Sequence, residues 1–156
     1  MSNDVSGYIT PALTREVKDI LEHYISQREI GIYKIRKDEL YNFPLDMLPV
    51  DDAFMFSIGD RPGYPNATYL IDYYEYDPIS SNTGFPFGGK DRLTILLDTF
   101  VDMIKITNAK KMVVALTDCN QIETIKKIKL SDLYDVIYSD FEEHQGPTDT
   151  LYEITV

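Results

Sequence analysis

Residues 117–120, Thr-Asp-Cys-Asn, are the best candidate for nucleophilic chemistry in this chain. They directly follow the apolar run 112–116, which predicts a central buried strand. Ligands of open α/β sheets bind where strands end, and a cysteine at the start of a following helix can have a lowered pKa. His144 and Asp140 would then be the candidates for a base and for the group that orients it. The chemistry would be attack by the thiolate of Cys119.

A structural interpretation of the same residues is more economical. Asp118 or Asn120 would cap a helix, and Cys119 would be a half-buried thiol without a catalytic role. A triad with His144 needs a meeting in space that nothing in the spacing of these residues indicates. We therefore do not expect an enzyme, and a small enzyme using Asp118 and Cys119 is kept as an alternative.

The spacing of metal-ligating residues predicts neither a metal nor a cofactor. His23 and His144 are far apart, and the single cysteine completes no zinc pattern. The acids at 51–52 and 142–143 are adjacent pairs instead of the alternating acids of a calcium loop. The glycine-rich stretch 79–89 lacks the Gly-Lys-Ser/Thr ending of a phosphate loop. We expect its two phenylalanines to plug the core in preference to forming a contact site.

The net charge of −11 is divided unevenly along the 156 residues. Residues 38–89 contain one basic and nine acidic groups, and residues 130–156 contain seven acidic groups and no basic one. Residues 1–37 contain six basic and five acidic groups, and residues 90–129 contain eight basic and five acidic ones. Two acidic blocks of this kind repel nucleic acid and anionic membranes and attract basic proteins.

The compartment is predicted to be the cytoplasm. The N-terminus has neither a basic start nor an apolar core typical of a signal peptide. No apolar run approaches the ~18 residues of a membrane-spanning helix. A single cysteine cannot form an internal disulfide, which is typical of a reducing environment.

Both acidic blocks combine carboxylates with tyrosines. Tyrosine supplies rigid contact area at low entropic cost, and carboxylates attract and hold a basic partner. The pattern therefore predicts two patches that bind a basic protein, one within 72–77 and one within 133–143. The predicted partner-binding residues are Asp72, Tyr74, Glu75, Tyr76, Asp77, Tyr134, Asp135, Tyr138, Asp140, Glu142 and Glu143.

In size, acidity and these acidic-aromatic segments, the chain resembles the bacterial immunity proteins that pair with secreted or contact-delivered toxins. The resemblance implies a protein without chemistry of its own that occludes the active site or substrate groove of a cognate basic toxin domain, such as a nuclease. A chaperone for a secreted effector is the alternative within the same binding class.

Hydrophobic periodicity predicts the elements that carry these residues. Helices are predicted over 11–27, begun by Thr10 and Pro11, and over 91–107, ended by Asn108. A third helix is expected over 121–129, and 130–141 supports either a helix or a strand. Strands are predicted over 30–36, 53–58, 68–78, 112–116 and 150–156. The strands over 53–58 and 68–78 are expected to be hairpin neighbours. Residues 43–49 are expected to form a packed loop or a single helical turn.

Together these elements predict a single domain over residues 1–156. Its fold class is α+β, with a mixed or mostly antiparallel sheet packed by two principal amphipathic helices. The chain is long enough to bury roughly 68–70% of its unfolded surface.

Overall fold

The computed structural model describes residues 3–73 and 84–156 and has an α+β fold built on a six-stranded mixed sheet. The strand order is β2-β3-β1-β4-β6-β5; β5 and β6 pair in parallel, and the other four pairs of described strands are antiparallel. The fold class predicted from the sequence is therefore confirmed. The strands are β1 (Asp4–Thr10), β2 (Gly31–Lys34), β3 (Phe54–Gly59), β4 (Lys111–Thr117), β5 (Thr124–Lys129) and β6 (Thr150–Thr155).

Four α-helices lie within the described residues: α1 (Arg15–Ser26), α2 (Thr68–Ile71), α3 (Gly89–Thr107) and α4 (Leu133–His144). They pack against one face of the sheet, which we call the helix face. The strand residues on that face alternate with those of the opposite face, as in β4, where Met112, Val114 and Leu116 join the helix-face core. None of the described helices is long and apolar enough to cross a membrane.

The opposite face of the sheet, which we call the second face, has a much smaller apolar cluster. Tyr8, Met55 and Val113 contribute to it from the strands, and Leu40 and Phe43 cover them. These two covering residues belong to a segment with single helical turns at Lys37–Glu39 and Leu45–Met47. The prediction of a packed loop or a helical turn over 43–49 is confirmed.

The first strand was missed, and the first helix begins later than predicted. Thr10 belongs to β1, the strand between β3 and β4. The helix cap is Thr14, whose hydroxyl accepts a hydrogen bond from the Val17 backbone N–H at 3.3 Å. The alternation of Val5 and Ile9 on the helix face was the available signal for β1, but Ser6 and Gly7 between them weakened it.

The prediction of a strand from residue 68 is wrong, because residues 68–71 form helix α2. The buried carboxylate of Asp60 accepts hydrogen bonds from the backbone N–H groups of Tyr69 and Leu70, at 3.0 and 3.1 Å. This carboxylate satisfies N–H groups that a helix start leaves free. β3 pairs with β1 and β2, so the predicted hairpin is also wrong at residues 68–73. Residues 74–78 lie outside the described residues.

The prediction of a helix over 121–129 is wrong, because Thr124–Lys129 form strand β5. β5 lies parallel to β6 at the edge of the sheet. Lys126 and Lys127 of β5 form ion pairs with Asp140 and Glu153, at 2.6 and 3.9 Å. These carboxylates are distant in the sequence, so the partners that favour the strand were not visible in the local pattern.

The remaining predictions of regular structure are confirmed. Strands occupy most of 30–36, 53–58, 112–116 and 150–156, and helix α3 covers 91–107. Asn108 ends α3 in the left-handed conformation, with φ of 51°. The ambiguous segment 130–141 is largely helix α4. The sheet is therefore packed by three long helices, which are the two predicted principal helices and α4.

Candidate partner-binding surface

The second predicted patch lies on helix α4. Leu133, Ile137 and Phe141 are buried toward the sheet, because they recur at helical spacing. Tyr134 and Tyr138 lie one turn apart on a flank of the helix, and their ring centroids are 5.9 Å apart. The helix thus presents two neighbouring aromatic rings in fixed positions.

Tyr134 is held by helix α3. Its hydroxyl donates a hydrogen bond to Asp98 Oδ1 at 2.6 Å. Partial burial, together with this hydrogen bond and the charge of Asp98, raises the pKa of Tyr134 well above its usual range. The phenol is therefore neutral and engaged within the protein, which leaves the ring available for contact.

Tyr24 makes a similar pair between α1 and α3. Its hydroxyl donates to Asp102 Oδ2 at 2.8 Å. Burial, followed by the hydrogen bond to Asp102, raises the pKa of Tyr24 to about 12. Asp98 and Asp102 are one turn apart on α3, where two like charges repel each other. A phenol from each neighbouring helix offsets that repulsion.

Tyr138 is held from the N-terminal half of α3. Its hydroxyl and that of Thr94 form a hydrogen bond. Lys90 Nζ lies 4.7 Å from the centroid of the Tyr138 ring, in the geometry of a cation–π contact. The ring of Tyr138 therefore already accepts one cation, which belongs to the chain itself.

A further tyrosine–acid pair joins the end of the α2 segment to α4. Tyr73 donates from its hydroxyl to Glu142 Oε1 at 2.7 Å, and its ring lies 6.0 Å from that of Phe141. Gly89, at the start of α3, approaches this tyrosine so closely that an added Cβ would lie 2.8 Å from Tyr73 Cδ1. The contact fixes the position of Glu142 on the outer side of α4.

The predicted acids of α4 fall into two groups. Asp135, Glu142 and Glu143 are exposed, and we call them the outer acids. Asp140 is only 7% exposed, and its two oxygens accept hydrogen bonds from Lys126 Nζ at 2.6 Å and the Tyr152 hydroxyl at 2.7 Å. Asp140 thus stabilises the packing of α4 on the sheet and presents no free carboxylate to a partner.

A groove of about 390 Å³ runs along α3 beside these residues. Asp98, Asp102 and Tyr134 contribute to it, together with Arg28 and Lys105. The Arg28 guanidinium lies 5.5 Å from the centroid of the Tyr24 ring. The acids of α3 therefore face basic groups of the chain, whereas the outer acids of α4 are directed to solvent.

Only the beginning of the first predicted patch lies within the described residues. The backbone carbonyl of Asp72 accepts a hydrogen bond from Arg92 Nη2 at 2.6 Å. Arg92 is 1% exposed and also binds the carbonyls of Tyr69 and Phe87, at 2.8 and 2.6 Å. The buried guanidinium thereby ties the chain before and after residues 74–83. The predicted contacts Tyr74, Glu75, Tyr76 and Asp77 lie outside the described residues.

The two phenylalanines of the segment 79–89 have different environments. Phe85 packs against the helix-face core, and its ring lies 6.0 Å from that of Tyr69. Phe87 is 68% exposed. The expectation that both rings plug the core is therefore confirmed for Phe85 and wrong for Phe87.

The candidate nucleophile Cys119 lies on the surface after β4, and its nearest acidic partner is Asp149. Its Sγ is 3.5 Å from Asp149 Oδ2, and Asp149 Oδ1 accepts the backbone N–H of Asp118 at 2.7 Å. A backbone hydrogen bond at Gln121 lowers the pKa of the thiol, but desolvation and Asp149 outweigh it, so the net pKa is raised. This direction is opposite to that of an activated thiolate. Asp140, the suggested orienting group, is bound to Lys126 and Tyr152 instead.

No group of three or more potential metal-ligating side chains occurs within residues 3–73 and 84–156. Comparisons of the chain with protein-family models, with curated proteins and with solved structures give no significant match.

Sequence reasoning missed the α3 side of this surface. The periodicity that predicts helices over 11–27 and 91–107 does not indicate that Tyr24 and Tyr134 bind Asp102 and Asp98. Tyr73 falls within the wrongly predicted strand 68–78. The repeated acid one turn apart was the available signal, because like charges at that spacing destabilise a helix unless other groups compensate. We call the outer acids together with the rings of Tyr134 and Tyr138 the acid–tyrosine surface.

Proposed function

We propose that the protein binds a basic protein partner through the acid–tyrosine surface. The partner is a toxin domain acting on nucleic acid, and the protein neutralises it in the cytoplasm by covering its active site or substrate groove. The observation that carries the proposal is the position of the outer acids, which are exposed on a helix whose two tyrosines are fixed by hydrogen bonds.

The carboxylates and the tyrosine rings of the acid–tyrosine surface have different roles in binding. Exposed carboxylates attract a basic partner over a distance and raise the association rate. Rings whose rotamers are already fixed lose little conformational entropy on binding, so they contribute to slow dissociation. Tyr134 and Tyr138 meet the second condition because α3 holds their hydroxyls.

Part of the acidity of the last 27 residues is neutralised inside the protein. Asp140 and Glu153 form ion pairs with the lysines of β5. The outer acids form no ion pair within the described residues, so the negative field of this region is concentrated on α4. The patch over residues 72–77 stays a prediction for a second part of the same interface.

The product of the neighbouring open reading frame is the partner to test, because immunity and chaperone genes usually lie beside those of their clients. We expect it to copurify with this protein and to associate at a rate that falls steeply with salt. Changing Asp135, Glu142 and Glu143 together to the neutral amides should slow association roughly 10-fold or more and flatten the salt dependence.

The matched control changes Asp46, Asp51 and Asp52 to asparagine. This variant removes the same charge from exposed positions between β2 and β3, on the second face of the sheet. Equal slowing by both triple variants would show that only the net charge matters. Tyr138→Ala should instead raise the dissociation rate. The loss of binding free energy should be ~1–4 kcal/mol, the range of a hot-spot residue. The proposed surface would be refuted by a partner whose association and dissociation rates change neither with salt nor with any of these substitutions.

A further inference from the structure

A polar groove of about 340 Å³ lies on the second face of the sheet, away from the acid–tyrosine surface. Its floor includes Ser6 of β1 and Ser57 of β3, which are opposite each other in the antiparallel ladder. Neighbouring second-face positions, such as Tyr8 and Met55, belong to the apolar cluster. The apolar cover therefore ends at the two serines, in the middle of the sheet, where both strands are paired on each side.

The walls of this groove carry neutral hydrogen-bonding groups. Asn66 and Asn120 line it, and among the described residues their side-chain amides have no hydrogen-bond partner, nor have the hydroxyls of Ser6 and Ser57. Asn42 also lines the groove and donates to the Asn120 carbonyl at 3.2 Å, which holds one end of the wall in place. Amides and hydroxyls that converge on one space can bind several donors and acceptors of a small ligand.

Two of the charged side chains that line the groove form an ion pair, and a third accepts a backbone hydrogen bond. Arg36 Nε lies 3.1 Å from Asp38 Oδ1, and the Arg36 backbone N–H donates to Glu39 Oε2 at 2.7 Å. Asp4 adds a further carboxylate to the lining, so the groove has an excess of negative charge that disfavours anions. No group of three potential metal ligands exists among the described residues, so the groove has no metal-ion site there. Its uncharged amides and hydroxyls, which can both donate and accept hydrogen bonds, suit a neutral ligand with several hydroxyl groups.

Tyr41 supplies an apolar surface at the same groove. It lines the groove and is 71% exposed, so its ring lies open to solvent beside the polar groups. The negative face of an aromatic ring attracts the polarised C–H groups on one side of a sugar ring. An exposed ring beside amides and hydroxyls is suited to a ligand with one apolar face and a polar edge.

We propose that this second-face groove binds a neutral pyranose sugar. The sugar stacks on Tyr41, and its hydroxyl groups exchange hydrogen bonds with Asn66, Asn120 and the two floor serines. The volume lies at the lower end of the ~300–1,000 Å³ range of ligand sites, which fits a single ring or the end of a glycan. The inference is independent of the proposed function, because the groove and the acid–tyrosine surface lie on opposite sides of the sheet.

The test is a titration of the isotope-labelled full chain, followed by amide chemical shifts. The probes are glucose, galactose, mannose and N-acetylglucosamine, each taken to saturation or to its solubility limit. At least one sugar should shift the amides of Ser6, Ser57 and Asn120 with roughly millimolar affinity, as expected for a small ligand in an open groove.

Two variants examine the two recognition elements. Tyr41→Ala removes the stacking surface, and Asn120→Gly removes the amide while keeping the left-handed backbone, whose φ is 62°. Each should weaken binding roughly three- to tenfold. Phe87→Ala is the matched control, since it removes a ring of similar exposure outside the groove and should leave binding unchanged.

Retained amide spectra in each variant show that the fold is intact. The proposal is overturned if none of the four sugars shifts the groove amides, or if the shifts survive both Tyr41→Ala and Asn120→Gly. Shifts spread over the whole chain would also count against it, as an unspecific effect of the sugar on the solvent.

Discussion

The two faces of the sheet are covered in very different ways. On the helix face, alternate strand residues meet three long helices and form a continuous apolar core. On the second face, the turns between β2 and β3 cover only a small apolar cluster, and a polar groove lies beside that cluster. The comparison indicates that the helix face supplies most of the stability, whereas the second face leaves room for a ligand.

The largest expected effects concern the helix-face core. Leu21→Ala and Leu97→Ala each remove a fully buried side chain and should destabilise the protein by roughly 2–5 kcal/mol. Leu40→Ala removes an equally large side chain under the turns of the second face. Its cost should lie at or below the lower end of that range, because turns can collapse into a cavity more easily than packed helices. Urea unfolding of the three variants measures these differences.

If Leu40→Ala and Leu97→Ala lowered the free energy of unfolding equally, the expectation that the helix face supplies most of the stability would be wrong. A cost below ~0.5 kcal/mol for Leu97→Ala, the usual size for a surface change, would show that the buried side of α3 had been misplaced.

A smaller effect is expected at alkaline pH, and it involves one tyrosine from each face. Tyr24, on the helix side, and Tyr8, on the second face, both have a pKa raised from 10.0 to about 12, chiefly by burial. Their raised pKa contributes stability that is fully present below pH 10 and is lost as the pH rises through about 12. Stability should therefore fall over this interval, and the fall should be less steep in Tyr24→Phe and in Tyr8→Phe.

The charges near the two hydroxyls differ. Besides burial, the charge of Glu153 raises the pKa of Tyr8, whereas at Tyr24 the charge of Arg28 opposes that of Asp102. Because salt screens these charges, it should reduce the alkaline sensitivity that Tyr8 contributes more than that of Tyr24. Thermal unfolding between pH 9 and 12, at low and high salt, checks both expectations, and identical curves for wild type and Tyr24→Phe would contradict the first.

The smallest expected effect is that of Cys119→Ser. The thiol is exposed and beside Asp149, so the substitution should change stability by no more than ~0.5 kcal/mol. Partner binding at the acid–tyrosine surface should also be unchanged. If the variant kept its fold but lost a turnover activity present in the wild-type protein, the enzyme alternative would replace the binding proposal.

Several elements were predictable because their signals are local. The apolar run 112–116 indicated a central strand, and β4 lies between β1 and β6. The spacing of Leu93, Leu96, Leu97 and Phe100 indicated helix α3, and all four are buried. Asn108 ends that helix because asparagine tolerates the left-handed conformation, which is also a property of the residue itself.

The predicted interface was only partly accessible to this reasoning. Tyr134, Asp135, Tyr138, Glu142 and Glu143 could be grouped into one candidate patch because they are close in sequence. Asp140 was grouped with them, although its carboxylate is buried against Lys126 and Tyr152. Composition identifies which residues could bind a partner, but the rotation of the helix on the sheet decides which of them are exposed.

By itself, the sequence determined the α+β class, the elements with strong apolar periodicity, and the grouping of acids with tyrosines within 72–77 and 133–143. Each of these depends on neighbours within one or two turns. Tertiary structure alone decided that 68–71 is a helix held by Asp60, that 124–129 is a strand, and that Tyr24 and Tyr134 bind the acids of α3. The physical reason is common to all three: the carboxylate, strand or phenol that stabilises each arrangement lies outside the segment itself, so the local pattern of that segment does not indicate it.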